Sequence, residues 1–581
     1  MKRCPQCNRV ETDDALVFCR ADGAALVSDS SPPDREAGTA RLGTASEPSE
    51  IETSILPHAT HAGAKHSTAP TTVLPPPQVG KTNPLNRLTR RKTAIAAIVV
   101  FVAMAAVISA FVANSYRSRK ADASIESIAV LPFENQNNDP TTDYFSDGIT
   151  ESIINSLSQL PNLKVMGRTT VFRYKGRDAD AQNVGKQLGV AAILTGKVLR
   201  QGDTISIQAD LVRVSDGTEI WGEKYTRKLA DIFAVQSDLA REITDRLRLQ
   251  LSGVQRERLT KHSTENTEAY ELYLKGRYHH FKGSETEVTK AADYYRQAIA
   301  KDPNYALAYV GLADTYGFNS SYVFPPTEAY AHVKEAVQRA LQLDDGLAEA
   351  HSSWGTYKLF YERDWAGAES QFRRAIALNP NSADAAVWYS FYLEAMGRFD
   401  EAIAQANRAR QLDPLGVFSN IGIAQAYYDA RQYDRAIDAY RSTLEVDQEN
   451  ATIHVLLGQV YRQKSMYSEA VAACEKARKI ENNPWNLAWL GYMYGAASRT
   501  ADARKALAEL EEMAKHRYVS PYNNALIYIG LGDKDQAFAW LNKADEERND
   551  YLIYLKVEPA VDSLRSDPRF DALLRRIGLT R

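Results

Sequence analysis

Three cysteines and one aspartate near the amino terminus have the types and spacing of metal ligands. Cys4 and Cys7 are two residues apart, and Cys19 and Asp22 repeat that spacing. Two thiolates at this distance can hold one side of a tetrahedral Zn²⁺ ion, and a carboxylate oxygen can also bind zinc. We therefore expect Cys4, Cys7, Cys19 and Asp22 to hold one structural zinc ion, and we expect no other cofactor.

The segment that carries these ligands, residues 1–27, resembles a short zinc ribbon, in which a CxxC pair occurs twice. Asp22 stands where the family has its last cysteine, so a degenerate ribbon without metal is the alternative. A catalytic zinc would need an open coordination position and a nearby base, and no motif supplies them. The ribbon is expected to be structural or to bind protein.

The sequence contains none of the short motifs that mark common catalytic sites. It has no P-loop, GxGxxG, HExxH or GxSxG pattern, and its 10 histidines are scattered. The formal net charge of -3 gives no indication of nucleic-acid binding. We predict that the chain is not an enzyme and has no nucleic-acid partner. An enzyme with a cryptic site in an α/β domain is the weaker alternative.

An apolar stretch without charges, residues 93–113, divides the chain. At about 1.5 Å per residue, a helix of this length spans the roughly 30 Å hydrocarbon core of a bilayer. We predict a single transmembrane helix here, with a buried core helix as the alternative. Residues 28–92, rich in Ser, Thr, Pro and Ala, are predicted to be a disordered linker.

Basic residues are more numerous before the apolar stretch than after it. They are Lys81, Arg87, Arg90, Arg91 and Lys92 before it, and Arg117, Arg119 and Lys120 after it. The positive-inside rule then places the amino terminus in the cytoplasm and the larger part in the periplasm, on a single-pass inner-membrane protein. Thiolate ligands before the membrane fit a reducing cytoplasm. The reversed topology is the alternative.

Residues 125–255 have the pattern of an α/β domain. Short apolar or alternating runs predict strands, and amphipathic runs predict helices, in the order β-α-β-α-β-β-β-α. The predicted strands are 127–133, 163–170, 191–200, 204–214 and 218–227, and the predicted helices are 143–160, 180–188 and 230–251.

Two blocks within these residues occur in the order found in one known family. They are IAVLPFENQNNDPTTDYFSDGITE and, further on, GTEIWGEKYTRKLADIFAVQ. Residues 125–255 thus resemble the TolB amino-terminal-like domain. The resemblance implies a ligand-binding or protein-binding module, and members of this family are commonly fused to tetratricopeptide repeats.

The remainder of the chain repeats itself with a period of 34 residues, seen in Ala368, Ala402, Ala436 and Ala470. This period and the accompanying FRRAIALNP and LLGQVY sequences resemble the tetratricopeptide repeat (TPR). We predict eight repeats over 265–548, stacked as an all-α superhelical solenoid, and capping helices at its open end over 549–581.

The TPR resemblance implies a concave groove that binds peptides or partner proteins. Nine residues of the first helices are predicted to line it, with a mixed aromatic and polar character. They are Asp314, Thr356, Phe391, Glu394, Gln425, Tyr428, Gln459, Arg462 and Tyr492. Only Arg462 is basic, so a basic clamp for a peptide carboxylate is not expected.

Together these features predict a multidomain, membrane-anchored protein-interaction scaffold or sensor. Its TolB-like domain and TPR groove would bind proteins or a ligand on one side of the membrane, with the zinc-ribbon tip on the other. A signalling protein that couples outer binding to the ribbon is the main alternative. The flexible linker argues against rigid transmission through it.

Overall fold

The computed structural model describes residues 2–3, 10–11, 27–28, 125–137, 139–177, 180–249, 251–282 and 284–580. The four predicted zinc ligands, the predicted linker from residue 29 on and the predicted membrane segment lie outside these residues. No helix within them is long and apolar enough to cross a membrane.

Three two-residue strands belong to a separate amino-terminal unit. They are β1 (Lys2–Arg3), β2 (Val10–Glu11) and β3 (Val27–Ser28). β1 pairs antiparallel with both β2 and β3, so it is the middle strand of a small sheet.

A mixed sheet with helices forms the α/β domain, as the sequence predicts. The order of its main strands is β6-β4-β7-β8-β9, and the short β5 pairs with β7. The strands are β4 (Ser127–Val130), β5 (Glu134–Asn135), β6 (Lys164–Val165), β7 (Ala192–Gln201), β8 (Thr204–Arg213) and β9 (Glu219–Lys228). β6 and β7 run parallel to β4, whereas β8 and β9 form antiparallel hairpins.

Five helices accompany this sheet. They are α1 (Asp143–Ser158), α2 (Arg168–Phe172), α3 (Ala181–Leu188), α4 (Ile232–Arg246) and α5 (Gly253–Thr260). Helix α1 buries an apolar stripe that includes Phe145, Ile149 and Ile153. The stripe has helical spacing, which is why this segment folds as a helix against the sheet.

Eight antiparallel helix pairs follow and form the repeat array. The first helices of the repeats are α6 (Thr267–His280), α8 (Ala306–Phe318), α10 (Ala348–Tyr357), α12 (Ala383–Ala395), α14 (Val417–Asp429), α16 (Ala451–Gln463), α18 (Pro484–Ala496) and α20 (Pro521–Leu531). The second helices are α7 (Glu285–Lys301), α9 (Pro326–Leu343), α11 (Trp365–Leu378), α13 (Phe399–Leu412), α15 (Tyr433–Val446), α17 (Tyr467–Ile480), α19 (Thr500–Met513) and α21 (Lys534–Glu546). A π-helical turn, Lys358–Glu362, extends α10.

Small residues allow the repeat helices to approach closely. Ala368, Ala402, Ala436 and Ala470, which define the repeat period, are all at most 1% exposed. Gly311 faces the ring of Tyr295 so closely that an added Cβ would lie 2.5 Å from it. The alanine period is therefore a packing requirement of the paired helices.

The α/β domain packs directly against the repeats. Its apolar core is continuous with residues of α6, α7 and α8. The predicted strand 163–170 is only Lys164–Val165, and this boundary was wrong. At Gly167 the chain leaves the sheet, because the Gly167 amide donates instead to the carbonyl of Leu412, at the end of α13 (2.7 Å). A Cβ at Gly167 would lie 2.6 Å from Asp413, so glycine is required for this approach.

Two loops between repeats carry the polar part of this contact. The Asn381 side chain donates to the carbonyls of Ser158 (2.9 Å) and Leu163 (2.8 Å). One repeat further on, Asp413 accepts a hydrogen bond from the amide of Thr170 (2.7 Å). The α/β domain is therefore fixed to the third and fourth repeats as well as to the first.

The carboxyl-terminal segment, residues 549–579, runs back along the first helices of the repeats. We expected this segment to cap the open end of the array. Its last helix contacts α21 of the last repeat through Arg569 and Asp535 and through Arg576 and Asn542. The residues before that helix also lie against first helices of other repeats, on the concave face. It contains two 3-10 turns, Asp550–Tyr554 and Pro559–Leu564, and helix α22 (Pro568–Arg576). Its apolar side chains, among them Leu552, Ile553 and Leu555, are fully buried. Burial of this apolar surface explains why the segment folds inward.

Candidate functional site: a recess on the concave face

A recess remains open on the concave face between the α/β domain and the carboxyl-terminal segment. It has two adjoining parts, a polar cavity of about 170 Å³ and an aromatic cavity of about 270 Å³. Phe318, Phe360 and Trp388 line both parts and thus mark the junction between them. We call the two parts together the junction recess.

The first helices of three consecutive repeats, and the turn after one of them, supply side chains to both parts of the recess. On α8, Asp314 precedes Phe318 by four residues, and on α12, Asp384 precedes Trp388 by four. Residues four apart lie on the same helix face. On the third repeat, Glu349 begins α10 and Phe360 lies in the π-helical turn after it. Each repeat therefore supplies a carboxylate to the polar part and an aromatic ring to the junction.

The polar part adjoins a buried ion cluster formed by Glu151, Arg168 and Arg277. Glu151 accepts hydrogen bonds from Nε of Arg168 (3.0 Å) and from Nε of Arg277 (2.8 Å). Burial alone would raise the pKa of Glu151, but Arg277 and Arg168 outweigh this effect and hold that pKa below its usual value. The cluster joins α1 to α6, so it also connects the α/β domain to the first repeat.

The four other carboxylates of the polar part, Asp314, Glu349, Asp384 and Asp413, have pKa values above the usual range. Burial raises the pKa of Asp314 to about 7 and that of Asp384 to about 6, and it also raises the pKa of Glu349. The hydroxyl of Ser353 donates a hydrogen bond to Asp314. The Asp384 and Glu349 carboxylates make no ion pair with any residue that the structure describes. Asp314 and Glu349 are half-buried, whereas the Asp384 side chain is exposed to the recess, and the charge of Arg277 acts against the rise in the pKa of these three groups.

Close aromatic contacts form the wall of the other part. The ring centroid of Trp388 lies 5.1 Å from that of Phe318 and 5.2 Å from that of Phe418. Trp485 and Trp489 line the far side, and their indole N–H groups have no hydrogen-bond partner in the part of the chain that the structure describes. Gln425 and Gln459 supply amide groups to the same wall.

The nine predicted groove residues all lie on first helices, but they fall into three groups. Asp314 and Thr356 line the polar part of the recess. Phe391, Gln425 and Gln459 line the aromatic part. The other four lie nearer the carboxyl-terminal segment or the last repeats: Glu394, Tyr428, Arg462 and Tyr492.

The carboxyl-terminal segment covers several of these predicted residues. Tyr428 donates to Glu558 (2.8 Å), and Tyr492 donates to the carbonyl of Ala560 (3.3 Å). The Arg462 guanidinium lies 5.6 Å from the Tyr492 ring centroid. The groove predicted to be open is thus occupied along this length by the chain itself.

Three buried carboxylates meet at this covered surface: Glu394, Asp429 and Glu558. Burial raises the pKa of each one, and that of Glu394 reaches about 8. Ser390 donates to one oxygen of Glu394 (2.7 Å), and a hydrogen bond between the Glu394 and Asp429 carboxyl groups lowers the pKa of Glu394 and raises that of Asp429. Ionisation of these carboxyl groups next to Glu558 is therefore unfavourable at the contact between the repeats and the segment.

Sequence reasoning missed most residues of the recess, among them Phe318, Glu349, Asp384, Trp388 and Phe418. The spacing of Asp384 and Trp388 on α12 is visible in the sequence and could have placed both on one face. No local signal shows that the segment after residue 548 returns to the concave face. Such a contact joins residues more than 100 positions apart, for example Tyr428 and Glu558.

The α/β domain has a separate open cleft of about 660 Å³ beyond the carboxyl end of β4. Lys175 in its wall pairs with Asp143 (3.2 Å) and with Asp147 (2.7 Å). These ion pairs tie the loop that carries Lys175 to α1. The arrangement has a structural explanation and does not by itself indicate catalysis.

Protein-family models match parts of both the repeat array and the α/β domain. TPR models match residues 359–415, 421–484 and 522–551, so the chain contains tetratricopeptide repeats. Residues 124–244 match the model described as HilA/YgeH-like transcriptional regulator, second domain. That model covers the α/β domain, and the TolB-like assignment of this domain stays a prediction.

Curated relatives match parts of the chain. It is 37% identical to putative adenylate cyclase 3 of Rhizobium meliloti over 187 residues, and this alignment covers 32% of each protein. It is 23% identical over 290 residues to the transcriptional regulator HilA of Salmonella typhimurium, covering 49% of this chain and 51% of HilA. The chain thus spans about a third to a half of the length of these relatives.

Among solved structures, yeast Tom70 is similar to 55% of this chain over 69% of its own length, with 16% identity and a TM-score of 0.35. The Pseudomonas aeruginosa PilF structure is similar to 36% of this chain over 92% of its own length, with 16% identity and a TM-score of 0.29.

Proposed function

We propose that this chain is a non-enzymatic, membrane-anchored interaction protein in which a partner segment can replace the carboxyl-terminal segment on the concave face. The observation that carries the proposal is the seat of that segment on the repeats. TPR arrays serve as protein-interaction scaffolds, and their concave face is the usual place for a peptide. Here an irregular stretch of the chain's own residues lies in that place.

The chemistry of the seat favours exchange. Arg431 makes a bidentate pair with Asp562 (2.7 and 2.9 Å) at an exposed position, where solvent and salt screen the attraction. The buried carboxylates Glu394, Asp429 and Glu558 add a cost to the same contact. A partner segment that brings amide or basic side chains to this place would avoid that cost.

A chain that ends at Arg548 tests the proposal. We expect a synthetic peptide of residues 549–581 to bind this shortened chain with a Kd in the micromolar range, because the apolar seat is vacated. The same peptide should bind the full chain at least 10-fold more weakly. Isothermal titration calorimetry in detergent measures both, and circular dichroism checks that the shortened chain is helical.

Partner peptides can then be selected from a random-peptide display library on the shortened chain. The proposal requires that selected peptides compete with the 549–581 peptide. A well-folded shortened chain whose selected peptides all bind without competition would contradict it.

The proposed anchor is residues 93–113, with the α/β domain and repeats in the periplasm. Support comes from the uncharged apolar sequence and the excess of basic residues before it. Ser284→Cys places a thiol at an exposed position, while the natural Cys474 is fully buried. In intact spheroplasts, an impermeant thiol reagent should label the variant above the wild type. Labelling only after lysis would place residue 284 in the cytoplasm and would support the reversed topology.

A second candidate function is signalling, and the family match of residues 124–244 favours it. HilA is named a transcriptional regulator and the Rhizobium meliloti relative a putative adenylate cyclase. In this alternative, binding at the repeats changes the contacts of residues 1–27, with or without zinc on the ribbon. Detergent-solubilised protein that stays monomeric both with and without a selected peptide would count against dimerisation as the signal.

A further inference from the structure

The junction recess persists while the carboxyl-terminal segment is in place. Tyr551, Tyr554 and Glu558 of that segment form part of its aromatic wall. The segment therefore closes the groove beyond the recess. An extended peptide cannot run along the groove in this state, but a small molecule can enter the recess.

We propose that the junction recess binds a small organic cation with an aromatic or aliphatic body. The body lies among Trp388, Phe318 and Phe418, and the cationic group lies beside Asp384 and Glu349. This site is separate from the peptide seat proposed above, because it needs the carboxyl-terminal segment to remain bound.

The charges in the polar part select a cation. Five carboxylates and two guanidinium groups line it, namely Glu151, Asp314, Glu349, Asp384, Asp413, Arg168 and Arg277. Both guanidinium groups are held by Glu151, and Asp413 accepts from the amide of Thr170. Asp384, Glu349 and Asp314 form no ion pair with a described basic side chain, although the charge of Arg277 lowers the pKa of each. A bound cation would add a further opposite charge beside these three carboxylates.

Helix position explains only part of this carboxylate set. Glu349 is in the first turn of α10 and Asp384 in the first turn of α12, where the helix dipole favours negative charge. Asp314 lies in the second half of α8, where the dipole offers no such stabilisation. Its raised pKa agrees with a carboxylate that has lost water without gaining a cation.

The aromatic part suits the body of such a ligand. Phe318 is 41% exposed, although it is a large apolar side chain, and its exposed surface faces the recess. Aromatic faces attract cations as well as apolar groups. The polar cavity has a volume of about 170 Å³ and the aromatic cavity about 270 Å³, which together suit a ligand of the size of a small aryl-alkyl amine.

Three probes of matched size test the proposal on the full chain in detergent: 2-phenylethylamine, the neutral 2-phenylethanol and the anionic 3-phenylpropionate. Calorimetric titration, corrected for the heat of titrating each probe into detergent alone, should show that the amine binds with a Kd in the millimolar range or below. The alcohol should bind at least 10-fold more weakly, and the anion should not bind measurably. Asp384→Asn should weaken amine binding about 10-fold and leave alcohol binding unchanged.

Two further variants separate a specific site from general effects. Asp400→Asn changes an exposed aspartate in the first turn of α13, outside the recess, and should leave amine binding unchanged. Trp388→Leu keeps an apolar wall but removes the ring, and should weaken the amine several-fold. Equal binding of amine and alcohol, no binding of the amine, or an unchanged affinity in Asp384→Asn would each overturn the proposal. The peptide-competition experiment above does not depend on any of these results.

Discussion

Replacement of Glu151 by glutamine should destabilise the α/β–repeat unit by about 3 kcal/mol. The side chain keeps its size, but its negative charge is lost. Arg168 and Arg277 then remain in a largely buried place without a counter-charge, at 18% and 20% side-chain exposure. Urea denaturation of the full chain in detergent at pH 7, followed by circular dichroism, measures the loss.

A matched control shows whether the effect belongs to the buried cluster. Glu134 pairs with Lys197 at 3.2 Å, but its side chain is 63% exposed. Glu134→Gln should change the free energy of unfolding by less than about 0.5 kcal/mol. If both variants lost the same stability, or if Glu151→Gln lost none, the buried cluster would not be what connects the α/β domain to the first repeat.

The repeat array could be predicted from the sequence because its contacts are local. Ala402 and Ala436 are fully buried at equivalent positions of successive repeats, so a fixed sequence period records a repeated packing position. The α/β domain could be predicted for a similar reason, since β7, β8 and β9 are consecutive hairpin strands. Periodicity and turn signals are both short-range patterns.

The site itself depends on contacts that leave no such pattern. Gly167 leaves the sheet to meet Asp413, and Tyr428 meets Glu558, across more than 100 residues in each case. The nine predicted groove residues were chosen by their position on first helices, and all nine lie on those helices. What covers them is set by the return of the carboxyl-terminal segment. An apolar run such as that around Leu552 indicates burial, but it does not indicate against which surface.

The three buried carboxylates at that surface make the seating of the segment dependent on pH. The pKa of Glu394 is about 8 in the folded chain and 4.5 in an ordinary glutamate, because burial disfavours its charge. The folded state therefore holds a proton that the unfolded state releases between these values. The stability contribution is fully present below pH 4.5 and is lost as the pH rises through about 8. Asp429 and Glu558 shift in the same direction and add to the loss.

Glu394→Gln should remove much of this dependence. We expect the variant to be more stable than the wild type by about 2 kcal/mol at pH 9, since each unit of pKa shift corresponds to about 1.4 kcal/mol. At pH 5 the two should differ by less than about 1 kcal/mol, because the wild-type carboxyl is then protonated. Urea denaturation at both pH values measures the difference.

Hydrogen exchange locates the effect on the molecule. As the pH of the wild type rises from 6 to 9, amides of residues 549–564 should lose protection beyond the intrinsic acceleration of exchange, while those of α13 keep theirs. In Glu394→Gln the segment should lose less protection than in the wild type, because Asp429 and Glu558 still titrate. Glu445→Gln, at an exposed position of α15, serves as the control and should behave as the wild type does. Equal loss of protection in wild type and Glu394→Gln would mean that these carboxylates do not govern how firmly the segment occupies the concave face.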